Sequence, residues 1–254
     1  MQPALIEKSM PSPFVAESRA LMGRRAAEDI ASTLRQLLQS QQSVRMIFAA
    51  APSQSEMLAE LIVMPGIGWS RVTAFHMDEY LGLGAEAPQR FGLWLRHAIF
   101  DRLPFAAVHL LEPGNDPETT AADYANRLAE HPIDIVCCGI GANGHLAFND
   151  PPADLHDPVD VKMVELDTAC RQQQVDDRCF ERFEDVPNHA LTLTVPRLLL
   201  SDRIFCCVPG ANKSEAVRRS LRDPISGAVP ATALRTHSNW SLYLDQDSAT
   251  GLKA

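Results

Sequence analysis

Residues 133–152 read Ile-Asp-Ile-Val-Cys-Cys-Gly-Ile-Gly-Ala-Asn-Gly-His-Leu-Ala-Phe-Asn-Asp-Pro-Pro. The first part, Ile133 to Cys138, is apolar almost throughout, as a strand covered on both faces must be. Gly139, Gly141 and Gly144 follow it and form a G-x-G-x-x-G pattern. On its own that pattern suggests a dinucleotide site. The fingerprint must open a helix whose N-terminus faces a pyrophosphate. Here Asn149, Asp150, Pro151 and Pro152 come too soon after Gly144 for a long helix to start. The glycines instead let backbone amides approach a small ligand. His145 sits beside that backbone, between Asn143 and Asp150. A histidine near a carboxylate is a common proton-transfer unit, because the acid orients the ring and favours imidazolium. The competing reading is a structural histidine in a tight loop.

Working outward, strands alternate with helices. An amphipathic helix is expected from about Phe14 to Gln41, with Ala20, Leu21, Ile30, Leu34, Leu37 and Leu38 at helical spacing. Strands are expected at Val44 onward, Arg71 to His76, Val159 to Leu166, Arg203 to Val208 and Trp240 to Leu244. Helices are expected after Pro52-Ser53, at Arg90 to Phe100, at Pro117 to Glu130 and at Lys213 to Arg222. This alternation predicts an α/β fold: a single three-layer domain over 1–254, with a mostly parallel, Rossmann-like sheet and helices on both faces. The loop Leu81 to Gln89 is expected to serve as a mobile cover over a site.

Composition narrows the function. The chain has 254 residues, 46% hydrophobic and 22% charged, with a net charge of -9. That is ordinary for a globular protein and argues against nucleic-acid binding, which needs surplus Lys and Arg. It does not exclude a small anion. The N-terminal stretch has no signal-like apolar run, and no run of about 18 apolar residues predicts a membrane span. The six cysteines include two adjacent pairs, Cys137-Cys138 and Cys206-Cys207, in apolar strand-like runs. They read as reduced core side chains of a cytoplasmic protein, and no metal site is expected from them.

Two more clusters fall at expected strand ends, where ligands gather in open α/β sheets. Phe75 to Leu83 reads FHMDEYLGL. Asp78 there can take a proton from carbon beside a carbonyl if burial raises its pKa; read alone, it also fits a turn acid or a helix cap. Arg203 to Leu221 reads RIFCCVPGANKSEAVRRSL. Lys213 stands in a first helical turn and can meet a phosphate, although a solvated lysine is the plainer reading.

Together these segments resemble the glucosamine-6-phosphate deaminase family, which is related to 6-phosphogluconolactonases. FHMDEYLGL is similar to its F-N-M-D-E-Y-x-G-L, and GIGANGHLAFNDPP to its G-x-G-x-[DN]-G-H-I-A-F-N-E-P. VPNHALTLTVPRLL, PGANKSEAV and PISGAVPATALRTHSNWSLYLD resemble later segments, in the same order. The resemblance implies that Asp78 shuttles a proton between C2 and C1 and that His145 assists ring opening. Asp150, where the family has Glu, and Asn143 would orient or tune His145. Ser53, Gln54, Ser55, Glu79, Gly144, Gln174 and Lys213 would contact substrate, with Lys213 on the phosphate. The implied reaction converts an amino-sugar phosphate to a ketose phosphate and ammonia, without metal or redox cofactor. The expected partner is a small sugar phosphate, with neither nucleic acid nor membrane, and with a homo-oligomer possible.

Two departures bear on the substrate. The family's Gly-rich P-[ST]-G-G-[ST] loop is replaced by Ala51-Pro52-Ser53-Gln54-Ser55. Gln174 stands where the family has an arginine, and Arg171 lies three residues earlier. A glutamine cannot supply a charged bidentate fork. Two alternatives therefore stay open: a lactone hydrolase of the 6-phosphogluconolactonase kind, and a non-catalytic sugar-phosphate sensor.

Overall fold

A computed structural model describes residues 5–8, 10, 12–114 and 116–252; residues 1–4, 9 and 11 of the N-terminal stretch lie outside it. Seven parallel strands form the main sheet. They are β1 (Phe14–Ala16), β2 (Val44–Phe48), β3 (Val72–His76), β5 (Ala107–His109), β6 (Ile135–Cys138), β9 (Arg203–Val208) and β10 (Trp240–Asp245). Their order is β1-β10-β9-β6-β2-β3-β5. From β2 the chain builds outward through β3 to β5, then crosses to β6 on the other side of β2. The order thus reverses between β2 and β6, and such a reversal opens a crevice beyond the carboxyl ends of the two strands.

Strand alternation explains the paired cysteines. Cys137 and Cys207 join one core with Met46, Phe48 and Ala74, under α1 (Arg19–Ser40), α2 (Ser55–Leu61) and α3 (Phe91–Leu95). Cys138 and Cys206 join the opposite core with Ile47, Phe75 and Val136, under α4 (Pro117–Ala129), α6 (Val195–Leu199) and α7 (Ser214–Arg222). All six cysteines are free thiols.

The sequence reading is corrected in two places. The first helix does not begin at Phe14: Phe14–Ala16 pair with Tyr243–Asp245 as an edge strand. Ser18 then caps α1 by accepting the Leu21 N–H. Second, the expected strand at Val159 to Leu166 lies outside the main sheet. As β7 (Val161–Glu165) it belongs to a three-stranded antiparallel sheet with β8 (His189–Leu193) and β4 (Asp78–Tyr80). Along β7, Met163 and Glu165 are exposed while Lys162 and Val164 are half-buried, the alternation of a strand covered on one face. The Leu81–Gln89 loop does not line the main cleft. It is tied back by Arg90 to the Ala85 carbonyl, and its Pro88 and Gln89 border a neighbouring hollow.

The small sheet matters because β4 carries two adjacent acids. Side chains alternate across a strand, so Asp78 and Glu79 face opposite ways. Glu79 is fully buried and accepts N–H bonds from Tyr80 at 2.9 Å, Phe91 at 3.0 Å and Gly92 at 2.9 Å. Phe91 and Gly92 open α3, whose first amides have no partner within the helix. Glu79 supplies that partner from another element. Glu79→Ala strands these buried amides and is expected to lower stability by about 3–5 kcal/mol. A denaturant titration showing less than about 1 kcal/mol of loss would contradict this structural role.

Among the described residues, no helix is long and apolar enough to cross a membrane.

Candidate functional site

The crevice is built by four strand ends. Ala49, Ala50 and Ala51 follow β2, Met77 and Asp78 follow β3, Gly139 to Gly141 follow β6, and Lys213 comes after β9. With Ser53, Gln54, Phe91, His145, Phe148, Gln173, Gln174 and Asp177 they line one open cleft.

Asp78 is 6% exposed. Burial, with the neighbouring Glu79 charge adding to it, raises its pKa well above the ordinary carboxylate value. Such a group is a stronger base than an ordinary carboxylate and can accept a proton and return it.

His145 is held from three sides. Its N–H donates to Asn143 Oδ1 at 3.0 Å, its carbonyl accepts the Gly141 N–H at 3.0 Å, and its Nδ1 lies 3.1 Å from Asp150 Oδ1. Pairing at Nδ1 leaves Nε2 as the ring nitrogen available to a ligand. The ring lies flat against Gly141: a Cβ there would come within 2.2 Å of both Cε1 and Nε2. Gly144, at φ 90°, takes a backbone shape that favours glycine, and a Cβ there would meet Val229. Ala147 also holds a positive φ, 50°, and stands between His145 and Phe148 on the cleft wall. For a residue with a Cβ that conformation costs on the order of 1 kcal/mol.

The shorter acid at position 150 still reaches the ring. Burial alone would raise its pKa, but the His145 contact and bonds from Asn143 and the Asp167 N–H hold it below the ordinary range. Asp150 therefore stays ionised. Asn143 Nδ2 lies 3.0 Å from Asp150 and 3.2 Å from Asp167. A neutral amide fits between two carboxylates, where a third acid would repel both. Asp167 in turn caps α5 (Thr168–Asp176).

The remaining residues singled out from sequence divide in two. Ser53, Gln54, Gln174 and Lys213 line the cleft with Asp78 and His145. Ser55 does not: it borders a separate surface hollow with Trp94 and His97, and its N–H already bonds to the Pro52 carbonyl. Glu79 turns away to cap α3, and Asn143, Gly144 and Asp150 stand behind His145. Sequence reasoning missed Gln173 and Asp177. Gln173 Oε1 accepts the Ala142 N–H at 2.7 Å and its Nε2 donates to Asp177 at 3.2 Å, so it joins α5 to the glycine loop. The helical spacing of 173, 174 and 177 on one face was the available signal.

Among the described residues, the donor set closest to a metal site is His145, Asp150 and Cys170, whose ligand atoms lie within 4.8 Å of one another. Burial and the Asp150 charge raise the Cys170 pKa, so the thiol keeps its proton and is a poor metal ligand.

Comparison with known proteins gives a consistent family. The profile for glucosamine-6-phosphate isomerases/6-phosphogluconolactonase matches residues 17–242. Proteins named glucosamine-6-phosphate deaminase from Bacillus thuringiensis (strain Al Hakam) and Bacillus cereus (strain AH820) are each 35% identical over 180 residues, covering 70% of this chain and 67% of theirs. Among solved structures, a monomeric glucosamine-6-phosphate deaminase superposes with a TM-score of 0.88 at 24% identity, over 95% of this chain and 100% of that one. A 6-phosphogluconolactonase from Shewanella baltica OS155 superposes with a TM-score of 0.78 at 18% identity, over 94% of this chain and 99% of that one. The structural matches establish the shared fold. The profile and the Bacillus relatives establish more: this chain belongs to the glucosamine-6-phosphate isomerase/6-phosphogluconolactonase family.

Proposed function

We propose that the chain works as one deaminase-like domain, converting an amino-sugar phosphate such as glucosamine 6-phosphate to a ketose phosphate and ammonia. The observation that carries this reading is the placement of Asp78, a buried carboxyl with a raised pKa, in the same cleft as the His145–Asp150 pair. Water addition to a lactone needs a base for water but gives a second buried acid no proton to move. An isomerisation needs a separate group to carry a proton from one carbon to the next.

In this mechanism His145 Nε2 exchanges a proton with the ring oxygen, and Asp150 stabilises the imidazolium that forms. The open aldehyde then loses its C2 proton to Asp78. The electron pair moves onto O1, which takes a proton from solvent, to give an enol with the amine still on C2. Asp78 returns the proton to C1, leaving an iminium at C2. Water adds to the iminium, and ammonia leaves as the added water gives up its protons. The Ser53 hydroxyl and Lys213 face the distal end of the substrate.

The test is ammonia and ketose-phosphate formation by the purified protein. Equal amounts of both, scaling with enzyme and lost in His145→Ala, are expected. Ligand-induced thermal stabilisation with no turnover at any enzyme concentration would favour a sensor instead.

A further inference from the structure

The distal end of the cleft is not built as a dianion site. Lys213, 4% exposed, is the only lysine or arginine lining the cleft among the described residues, and burial lowers its pKa. The Asp177 carboxylate lies 3.9 Å from its Nζ and also lines the cleft. Gln174, on the same wall, brings no charge. Gln54 is fully buried, and its orientation is pinned because Nε2 donates to the Cys207 carbonyl at 3.2 Å and to Ser53 Oγ at 3.1 Å. Its Oε1 is left without a hydrogen-bond partner, as is Lys213 Nζ. The charged and hydroxyl side chains at this end of the cleft are therefore one lysine, one serine and one carboxylate acceptor. A carboxylate beside a phosphate dianion repels it, whereas a sugar hydroxyl can donate to the carboxylate and accept from the lysine.

We propose that Asp177 relaxes the demand for phosphate, so that the amino sugar with a free distal hydroxyl is turned over alongside its phosphate ester. This rests on the deaminase reading above. Asp177 acts as a specificity-determining residue: a phosphate on Lys213 would sit within about 5 Å of its carboxylate, and unscreened like charges at that range disfavour binding by roughly tenfold or more.

The test compares kcat/KM for glucosamine 6-phosphate and glucosamine in the wild type and in Asp177→Asn. The wild-type ratio is expected to stay within about a hundredfold. Asp177→Asn is expected to raise it by roughly tenfold or more, through a lower KM for the ester. A ratio unchanged within about twofold overturns the proposal. Calorimetric titration with inorganic phosphate gives a readout that does not depend on turnover. Asp177→Asn and Gln174→Arg should each bind phosphate about tenfold more tightly than the wild type. Equal affinities overturn the proposal, as does loss of phosphate binding in Arg178→Ala with Asp177→Asn silent, because Arg178 in the neighbouring hollow would then supply the missing charge. Tighter phosphate binding in Asp177→Asn with no ammonia from either sugar would count against the deaminase reading while leaving the role of Asp177 in place.

Discussion

Asp78→Asn is expected to lower kcat by about 10²- to 10⁴-fold while KM moves little, because an amide cannot accept and return the C2 proton. The same change should stabilise the protein near neutral pH. The folded-state pKa of Asp78 is raised by burial and by Glu79, so the folded state holds a proton that the unfolded chain releases. The stability linked to that proton is full below the ordinary carboxylate pKa and is lost as pH rises toward the raised value. Asn, always neutral, avoids the loss. Activity has the opposite sign: the base must ionise, so the acid limb of wild-type kcat/KM should lie above the usual carboxylate range. A pH–rate profile and melts of both proteins across the same pH range check both halves. An Asp78→Asn protein with wild-type kcat, or a wild-type acid limb in the ordinary carboxylate range, would contradict the assignment.

Gly141→Ala is the second large effect. The added methyl would occupy the imidazole of His145, at 2.2 Å from two ring atoms, so the ring must swing away. The Gly141 amide and carbonyl bonds that close the loop remain available, so the fold should survive. Displacement of a proton carrier by about 1 Å costs on the order of 10²-fold in rate. We expect kcat to fall by roughly that factor, with ring opening becoming limiting. Supplying substrate analogues already in the open-chain form should restore much of the rate in Gly141→Ala and none in Asp78→Asn. Wild-type kinetics in Gly141→Ala would mean that His145 is not held where ring opening needs it.

These two residues also show how far the sequence could be read. Five of the seven main strands were legible because their runs are mostly apolar: Val44–Phe48 and Arg203–Val208 are covered on both faces, whereas the three-residue edge strands Phe14–Ala16 and Ala107–His109 are too short and too exposed to stand out. The small sheet was not, because Asp78–Tyr80 follows β3 after only Met77 and contains two acids. Asp78 and Glu79 look equivalent in sequence, and only the strand alternation sends one to the cleft and the other to the start of α3. His145 and Asp150 were legible as a local pair in one loop. Asp177 was not, because its meaning comes from Lys213, which the fold brings from a distant segment to 3.9 Å. The altered Pro52-Ser53-Gln54 stretch was legible as a departure from the family's loop, but the way Gln54 is held depends on the Cys207 carbonyl behind it.

The movement of a proton at carbon separates this account from hydrolysis or mere binding. Glucosamine 6-phosphate carrying deuterium at C2 can be followed by NMR as product forms in ordinary water. The account predicts that part of the label appears at C1 of the ketose phosphate, carried by Asp78, with the rest lost to solvent, and that neither event occurs in Asp78→Asn. Label retained at C2 throughout, with sugar-acid lactones hydrolysed at the same rate by wild type and Asp78→Asn, would contradict it.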